Sequence, residues 1–559
     1  MPPPGPDPAA AATVVFQPWG RRCPAPVGVT LLQVAQDGGV ALASVCGGTG
    51  SCGACVIRVV RGAVGDLAPE EAERLTPAER AAGLRLACRA RVADGGDVVV
   101  EVVPGSRVGG QPSQTESVAL PAAAADGARA RRRPVGRVGL AVDLGTTGLA
   151  AYLVDRSDGG VLAARGAPNP QICFGEDVMS RLAVALTDPP RAERMREVLA
   201  VEVDRLAGEL CLAAGVARED VGEVVVVGNT AMHHLFFGLP VTSLAWAPYV
   251  PFEAAERTVP AESVGLRLAA GATVTSPPVV AGFVGSDHVA MLLAAGAASG
   301  AASGPCAGGT AYLDVGTNTE ISLVVDGGHW TCSTASGPAF EGAHIEAGMR
   351  AARGAIDRVR WAAGGLRTST IEAAPAVGIC GSGLLDAVAV LRAQGAVSEI
   401  GALSSGHPLV SGTGRAACVV LAAAAPGSER AVRLTRADIA EVQLAKGAVR
   451  AGLELLTEAA GIRESDIAQI ILAGAFGSYL DVGSAQAIGL LPPVPPDAVH
   501  QIGNGAGAGA CLLLGGPERR SEAAALAGRI TYVELTGHPE FQDRFTQALR
   551  LVPDPWTNG

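Results

Sequence analysis

Apolar positions along the chain follow two rhythms. In residues 12–104, "ATVVFQP" and "DVVVEVVP" alternate or run as strands at the two ends, and "TLLQVAQDGG" has the spacing of a short helix. Thr30 is the expected N-cap of that helix and a glycine its stop. A glycine-rich loop then leads into the strand "CVIRVVRG", and "TPAERAAGLRLACRA" carries the chain back towards the loop. Several strands with one packed helix predict a β-grasp arrangement. Residues 105–136 lack any hydrophobic period and are rich in Gly, Pro, Ser and Ala, which predicts a linker with a short ordered piece near "SVALP".

Residues 137–559 alternate strands with helices. "RVGLAVDLGTTGLAAYLVD" reads as strand, glycine turn, strand, and "GTAYLDVGTNTEISLVVDGG" repeats that signature about 170 residues later. "GEVVVVGNTAMHHLFFG" is a buried strand running into a helix; "QIILAGAFGSYLD" and "HQIGNGAGAGACLLLG" complete the set. The repetition predicts a duplicated α/β region of two lobes, the second beginning near residue 305, with a cleft between them.

At 559 residues the chain exceeds what one core serves, and its 48% hydrophobic, 17% charged composition is that of a globular protein. A net charge of -11 argues against nucleic acid as partner. The one basic run, "RARRRPVGR", reads as a solvated linker. The opening "MPPPGPDPAAAATVVF" is not built like a signal peptide, and no apolar run reaches the roughly 18 residues a membrane span needs. A cytoplasmic location is the expectation, where clustered cysteines hold metal more often than they form disulfides.

Cys46, Cys52 and Cys55 are spaced C-x5-C-x2-C, and Cys88 follows at a distance. Three thiolates in a tight loop and one remote are the ligand pattern of a [2Fe–2S] cluster. A loop wrapping a cluster must turn sharply, so Gly47, Gly48, Gly50 and Gly53 are expected at positive φ. Structural zinc is the rival reading, though it favours two short C-x2-4-C pairs. The other eight cysteines are scattered and read as small buried hydrophobes. On these residues the first region resembles a [2Fe–2S] ferredoxin domain. Its first gap is one residue longer than the plant-type spacing and is similar to the adrenodoxin-like branch.

"DLGTTG" and "DVGTNTE" each set an acid at a strand end before a turn of Gly and Thr. Turn N–H groups and hydroxyls can cradle phosphate, and Asp143 and Asp314 can hold Mg²⁺-bound water or orient the attacking one. With "LAGAFGSYL" and "GNGAGAGA" these turns resemble the acetate and sugar kinase/Hsp70/actin superfamily. The resemblance implies that Gly145, Thr146 and Thr147 belong to a first phosphate loop and Gly316, Thr317 and Asn318 to a second. It places Gly474, Phe476 and Gly477 at the adenosine, and makes "GICGSGLLDAV" a connecting helix between lobes. The chain has a single lysine, Lys446, its other cations being arginine. That lysine is a candidate for reaching a nucleotide phosphate, with a packing helix as the alternative. His233 and His234 lie about 100° apart on a helix and are expected in core or surface roles, not on one metal ion.

A ferredoxin domain joined to such an ATPase resembles the reductive activators of corrinoid proteins. "NPQICFGEDVMSRL", "VGNTAMHHLFFGL", "SGPAFEGAHI", "VQLAKGAVRAG" and "AGAFGSYLDVGSAQAIGLLP" carry that resemblance across nearly the whole chain. It implies ATP-dependent transfer of one electron from a [2Fe–2S] cluster to Co(II), giving Co(I), with ATP and Mg²⁺ as cofactors. It also implies a corrinoid protein and an upstream electron donor as partners, and a homodimer as the assembly. Ser336–Glu341 are the expected partner-facing stretch. The last cysteine is Cys511, so one cluster is expected. Alternatives are an ATP-coupled donor to another low-potential metalloenzyme, and a metabolite kinase with a redox-sensing ferredoxin domain. A scaffold role fits least.

Overall fold

The computed structural model describes residues 11–40, 42–44, 46–103, 106, 115, 136–298, 308–424 and 431–553. All of the predicted linker except Ser106, Thr115 and Gly136, including its "SVALP" piece, and most of the basic run therefore lie outside the described residues.

In the first region the strand Ala11–Gln17 pairs antiparallel with Arg21–Pro26 and parallel with Val98–Val102. Val56–Arg61 and Leu84–Leu86 extend the same sheet, giving five strands. The helix Leu31–Asp37 packs Leu31, Leu32, Val34 and Ala35 against it, and the Thr30 side chain accepts from the Gln33 N–H at 3.2 Å. This is the expected β-grasp arrangement. Arg85 is held by the fully buried Glu71 through two bonds of 2.8 Å, and Glu71 also accepts from the Leu86 N–H. A bidentate pair of this kind fixes the direction of the chain just before Cys88.

The two-lobe region holds two six-stranded sheets that share five strand positions, the sixth strand lying on opposite edges. In the first, Val138–Leu144, Gly148–Asp155 and Val161–Pro168 form an antiparallel meander, and Val221–Val227 pairs parallel with Val138–Leu144. In the second, Gly309–Val315, Thr319–Val325 and Gly328–Thr334 repeat the meander, and Ile467–Ala473 takes the parallel place. Asp143 stands opposite Val227, and Asp314 opposite Ala473, so both acids end the same strand of the duplicated fold.

The lobes are joined by helices that cross between the halves. Ser286–Ala298 follows the first sheet in sequence, yet Met291, Leu292 and Ala295 pack on Ile471 and Ala473 of the second. Conversely, Gly505–Leu513 follows the second sheet and covers Ala141, Ala150, Tyr152 and Val225 of the first. The glycines of "GNGAGAGA" make this possible. A Cβ on Gly507 would lie 2.5 Å from the Tyr152 ring, and one on Gly509 only 1.9 Å from the Ala290 carbonyl oxygen. The expected connecting helix is thereby corrected. Gly381–Ala393 buries Leu384, Leu385 and Val388 in the core of the second lobe, and connects nothing across the cleft. Its run of apolar residues reflects deep burial within one lobe.

Gly509→Ala is expected to destabilise the two-lobe unit by about 1–3 kcal/mol, because the added methyl group meets backbone that cannot swing away. Thermal denaturation would show an earlier transition; an unchanged Tm would mean that the two helices separate without cost.

Candidate functional site

Four thiols gather at one end of the β-grasp region. Cys46 and Cys52 bring their Sγ atoms to 3.3 Å, and Cys55 and Cys88 lie near enough for each thiol to shift the other's ionisation. Gly47, Gly48, Gly50 and Gly53 all take φ between +63° and +96°, the region expected of the loop. The Ala54 N–H points at Cys52 Sγ from 3.4 Å. Burial opposes ionisation of Cys46, but hydrogen bonds from Thr49, Cys52 and the Gly48 backbone bring its thiol down to about 5. The mutual interaction of Cys55 and Cys88 lowers Cys55 and, together with burial, raises Cys88. Among the described residues no three His, Cys, Asp or Glu side chains converge on a single ion. Two pairs of thiols suit two bridged irons better than one tetrahedral zinc.

Seven scattered cysteines, Cys23, Cys173, Cys211, Cys332, Cys380, Cys418 and Cys511, are buried as expected; Cys306 lies outside the described residues.

Between the lobes lies a cleft of about 740 Å³. Asp143, Gly145, Thr146, Thr147, Asp314, Gly316, Thr317 and Asn318 line it, as do Gly474 and Phe476. Gly474 takes φ +83°, and a Cβ there would meet Asp314 Oδ1 at 2.7 Å, so only glycine lets the strand end pass the acid. Phe476 stacks on Phe340 with ring centroids 4.2 Å apart and planes 5° from parallel.

Several lining residues carry no loud sequence signal. Asp287 and Glu320 join Asp143 and Asp314 to floor the cleft with four carboxylates. Burial raises Asp143 to about 6, with a hydrogen bond from Asn504 opposing; burial and then the Asp143 charge raise Asp314 to about 7. Asp287 reaches about 8 through burial and the Asp143 and Asp314 charges, and Glu320 rises well above the carboxylate range through burial and the Asp287 and Asp314 charges. Asn504 donates to Asp143 Oδ2 at 2.9 Å, and Asn229 donates to Thr146 Oγ1 at 2.9 Å. Each asparagine is also the N-cap of a helix. The Gly-Asn step before a helix, repeated at 228–229 and 503–504, is the signal that could have found both.

Three expectations are corrected. Lys446 is wholly buried in the helix Arg436–Ala460, where Nζ donates to the carbonyls of Ile488 at 3.1 Å and Arg550 at 2.6 Å. It does not line the cleft, and burial with the nearby Arg450 charge pulls its amine down to about 7. Gly477 does not line the cleft either; its carbonyl accepts from Gln501 Nε2 at 2.7 Å. Ser336–Glu341 turn inward: Ser336 Oγ donates to the Gly316 carbonyl at 2.9 Å and Thr317 donates to Glu341. His233 and His234 are core residues, with His234 Nε2 accepting from the Phe252 N–H at 3.1 Å.

Comparison with known proteins adds kinship. Residues 15–93 match the 2Fe-2S iron-sulfur cluster binding domain, 138–299 the RACo middle region, and 309–557 the C-terminal domain of RACo, the ASKHA domain. The corrinoid activation enzyme RamQ of Eubacterium limosum is 35% identical over 418 residues, 73% of this chain and 69% of RamQ. The [Co(II) methylated amine-specific corrinoid protein] reductase of Methanosarcina barkeri is 27% identical over 70% of this chain and 73% of its own length. Among solved structures, a reductive activator for corrinoid, iron-sulfur protein superposes with a TM-score of 0.67 at 28% identity, covering 97% of this chain and 98% of that one.

Two outcomes follow from the site. The raised carboxylates bind more protons folded than unfolded between about pH 4 and 8. Their stabilising contribution is therefore complete below pH 4 and lost as pH rises through about 6 to 8. Asp287→Asn should raise the Tm of the nucleotide-free chain more at pH 8 than at pH 5.5; an equal shift at both would refute the carboxylate crowding. Lys446→Arg should lower stability by about 1–3 kcal/mol by overfilling a compact ammonium site, while ATP hydrolysis continues. Loss of hydrolysis at unchanged stability would restore the lysine to the nucleotide.

Proposed function

We propose a function that starts from descent: this chain belongs to the RACo family of reductive activators, and it reductively activates a corrinoid protein, using ATP to drive inactive Co(II) to Co(I). One observation carries the reading: four gathered thiols and a carboxylate-floored cleft between duplicated lobes occur in one chain. No helix among the described residues is long and apolar enough to cross a membrane.

Cys46, Cys52, Cys55 and Cys88 would hold the [2Fe–2S] cluster, and the low-lying Cys46 thiol suits thiolate ligation. When bound, the cluster supplies a single low-potential electron, and Mg²⁺-ATP supplies the free energy of phosphoanhydride cleavage. Gly145–Thr147 and Gly316–Asn318 present two facing turns for phosphate oxygens. Asp143 and Asp314 would orient Mg²⁺-bound water, with Asp287 close enough to feel the charge of both. Gly474 and the Phe340–Phe476 stack offer a flat, apolar wall for a purine. Plant-type [2Fe–2S] centres sit near about -400 mV, and each further 59 mV uphill costs one electron about 1.4 kcal/mol. Closure of the lobes on nucleotide would therefore change how the activator grips its partner, making the cobalt easier to reduce. A cytoplasmic location, an upstream electron donor and a homodimer through the two-lobe region complete the reading.

The test is anaerobic UV–visible spectroscopy of a Co(II) corrinoid protein mixed with this protein and reductant, with and without Mg²⁺-ATP. A Co(I) band that needs ATP, with phosphate appearing only as the inorganic ion, is the expected result. Asp314→Ala should keep the cluster spectrum and lose ATP turnover by about 10²–10³-fold. ATP hydrolysis indifferent to the corrinoid protein, or phosphate found on a small metabolite, would overturn the reading.

A further inference from the structure

The ferredoxin-like region and the first phosphate loop both hold to one short segment, the 3₁₀ turn Pro170–Cys173 with its flanks. Asn169 Nδ2 donates to the Gly145 carbonyl at 2.8 Å and its backbone N–H to the Thr147 carbonyl at 3.0 Å. Arg181, with no exposed surface, donates from Nη2 to the Thr146 carbonyl at 2.5 Å and from Nε to the Gly175 carbonyl at 2.9 Å. Three consecutive phosphate-loop carbonyls are thus held from one side. Because C=O and N–H of a trans peptide point opposite ways, this grip also sets the N–H groups offered to phosphate.

Gln36 of the ferredoxin-like region donates from Nε2 to the Cys173 carbonyl. Gln36 is only 1% exposed, and its Oε1 accepts from Arg191 Nη2 at 2.9 Å. Gly47, the residue after the cysteine that opens the loop, lies so close that a Cβ there would touch the Phe174 carbonyl oxygen at 3.4 Å. A side chain from one domain that is fully satisfied inside another is a specific seat, because leaving it strands buried polar atoms.

We propose that Asn169 and Arg181 are positioning residues for the electron transfer, tying the seat of the iron–sulfur region to occupancy of the first phosphate loop. The inference rests on the nucleotide site proposed above. Phosphate engaging the N–H groups of Thr146–Gly148 tilts those peptide planes, and the same peptides' carbonyls, those of Gly145–Thr147, shift against Asn169 and Arg181. The Asn169–Gly175 turn moves with them, carrying the Cys173 and Phe174 carbonyls on which Gln36 and Gly47 sit. Binding linkage makes the coupling reciprocal, so release of the seat alters nucleotide affinity by the same factor.

Such a path needs coupling evidence, not proximity alone. Hydrogen exchange on the full-length, cluster-loaded protein under anaerobic conditions, with and without Mg²⁺ and the non-hydrolysable analogue AMP-PNP, supplies it. The analogue is expected to change exchange at 145–148, at 169–175 and at 32–50 together. In Gln36→Ala, and independently in Arg191→Gln, the first two changes should persist and the third disappear. ATP hydrolysis should continue in both variants while the ATP-dependent gain in Co(I) falls towards one-fold. Altered exchange at 145–148 with 169–175 unmoved, or a full ATP-dependent gain in both variants, overturns the proposal and leaves the nucleotide site standing. No change at 145–148 in the unaltered protein overturns the nucleotide reading, and the proposal with it.

Discussion

The two lobes meet where two helices come close enough for backbone to touch backbone. Gly509 against Ala290 permits that approach, and everything at the cleft floor depends on it. Asn504 leaves the second sheet and caps the helix lying on the first, so its amide lands on Asp143 from the far side of the molecule. Asp287, at the start of the partner helix, arrives beside Asp143 and Asp314 by the same crossing. Four carboxylates so close repel one another in a poorly hydrated space. That crowding holds protons on the acids at pH values where free carboxyls would have lost them.

The two chemical centres meet opposite electrostatic demands. At the cysteine loop, hydrogen bonds from Thr49, Cys52 and the Gly48 backbone favour negative sulfur on Cys46, which falls accordingly. At the cleft, desolvation and like charges favour protons on carboxylates, and the acids rise. One centre is made for stored negative charge, the other is relieved by incoming positive charge. The buried Glu71–Arg85 pair and the Asn169–Arg181 clamp keep the backbone of each in place. Neither clamp touches a reacting atom; both act on peptide carbonyls and strand direction.

Much of this was legible in the sequence wherever function imposes a local pattern. The cysteine spacing, the four loop glycines and the paired Asp-x-Gly-Thr turns announce themselves because each works through neighbours in the chain. Asp287, Glu320, Asn229 and Asn504 did not, since their role exists only once separate strands and helices are packed together. Lys446 misled for a related reason. A lone lysine among arginines does mark a need for a compact ammonium, but the need is two buried carbonyls, those of Ile488 and Arg550. The apolar helix Gly381–Ala393 looked like a link between lobes because deep burial within one lobe and burial between two leave the same composition.

The crossing helices also bear on synthesis. The first sheet's face at Ala141, Ala150, Tyr152 and Val225 is covered by a helix that ends at Leu513. A ribosome adding about 5–20 residues per second leaves that face without its native cover for roughly 15–60 s after Val227 is made. The N-terminal β-grasp unit contains all its own strands and completes early, whereas the first lobe waits for nearly the whole chain. Cells making this protein thus hold an apolar, edge-bearing intermediate on every translating chain. A truncation anywhere between the two glycine-turn hairpins and Leu513 yields a sheet without its lid, a substrate for chaperones and proteases instead of a smaller working lobe.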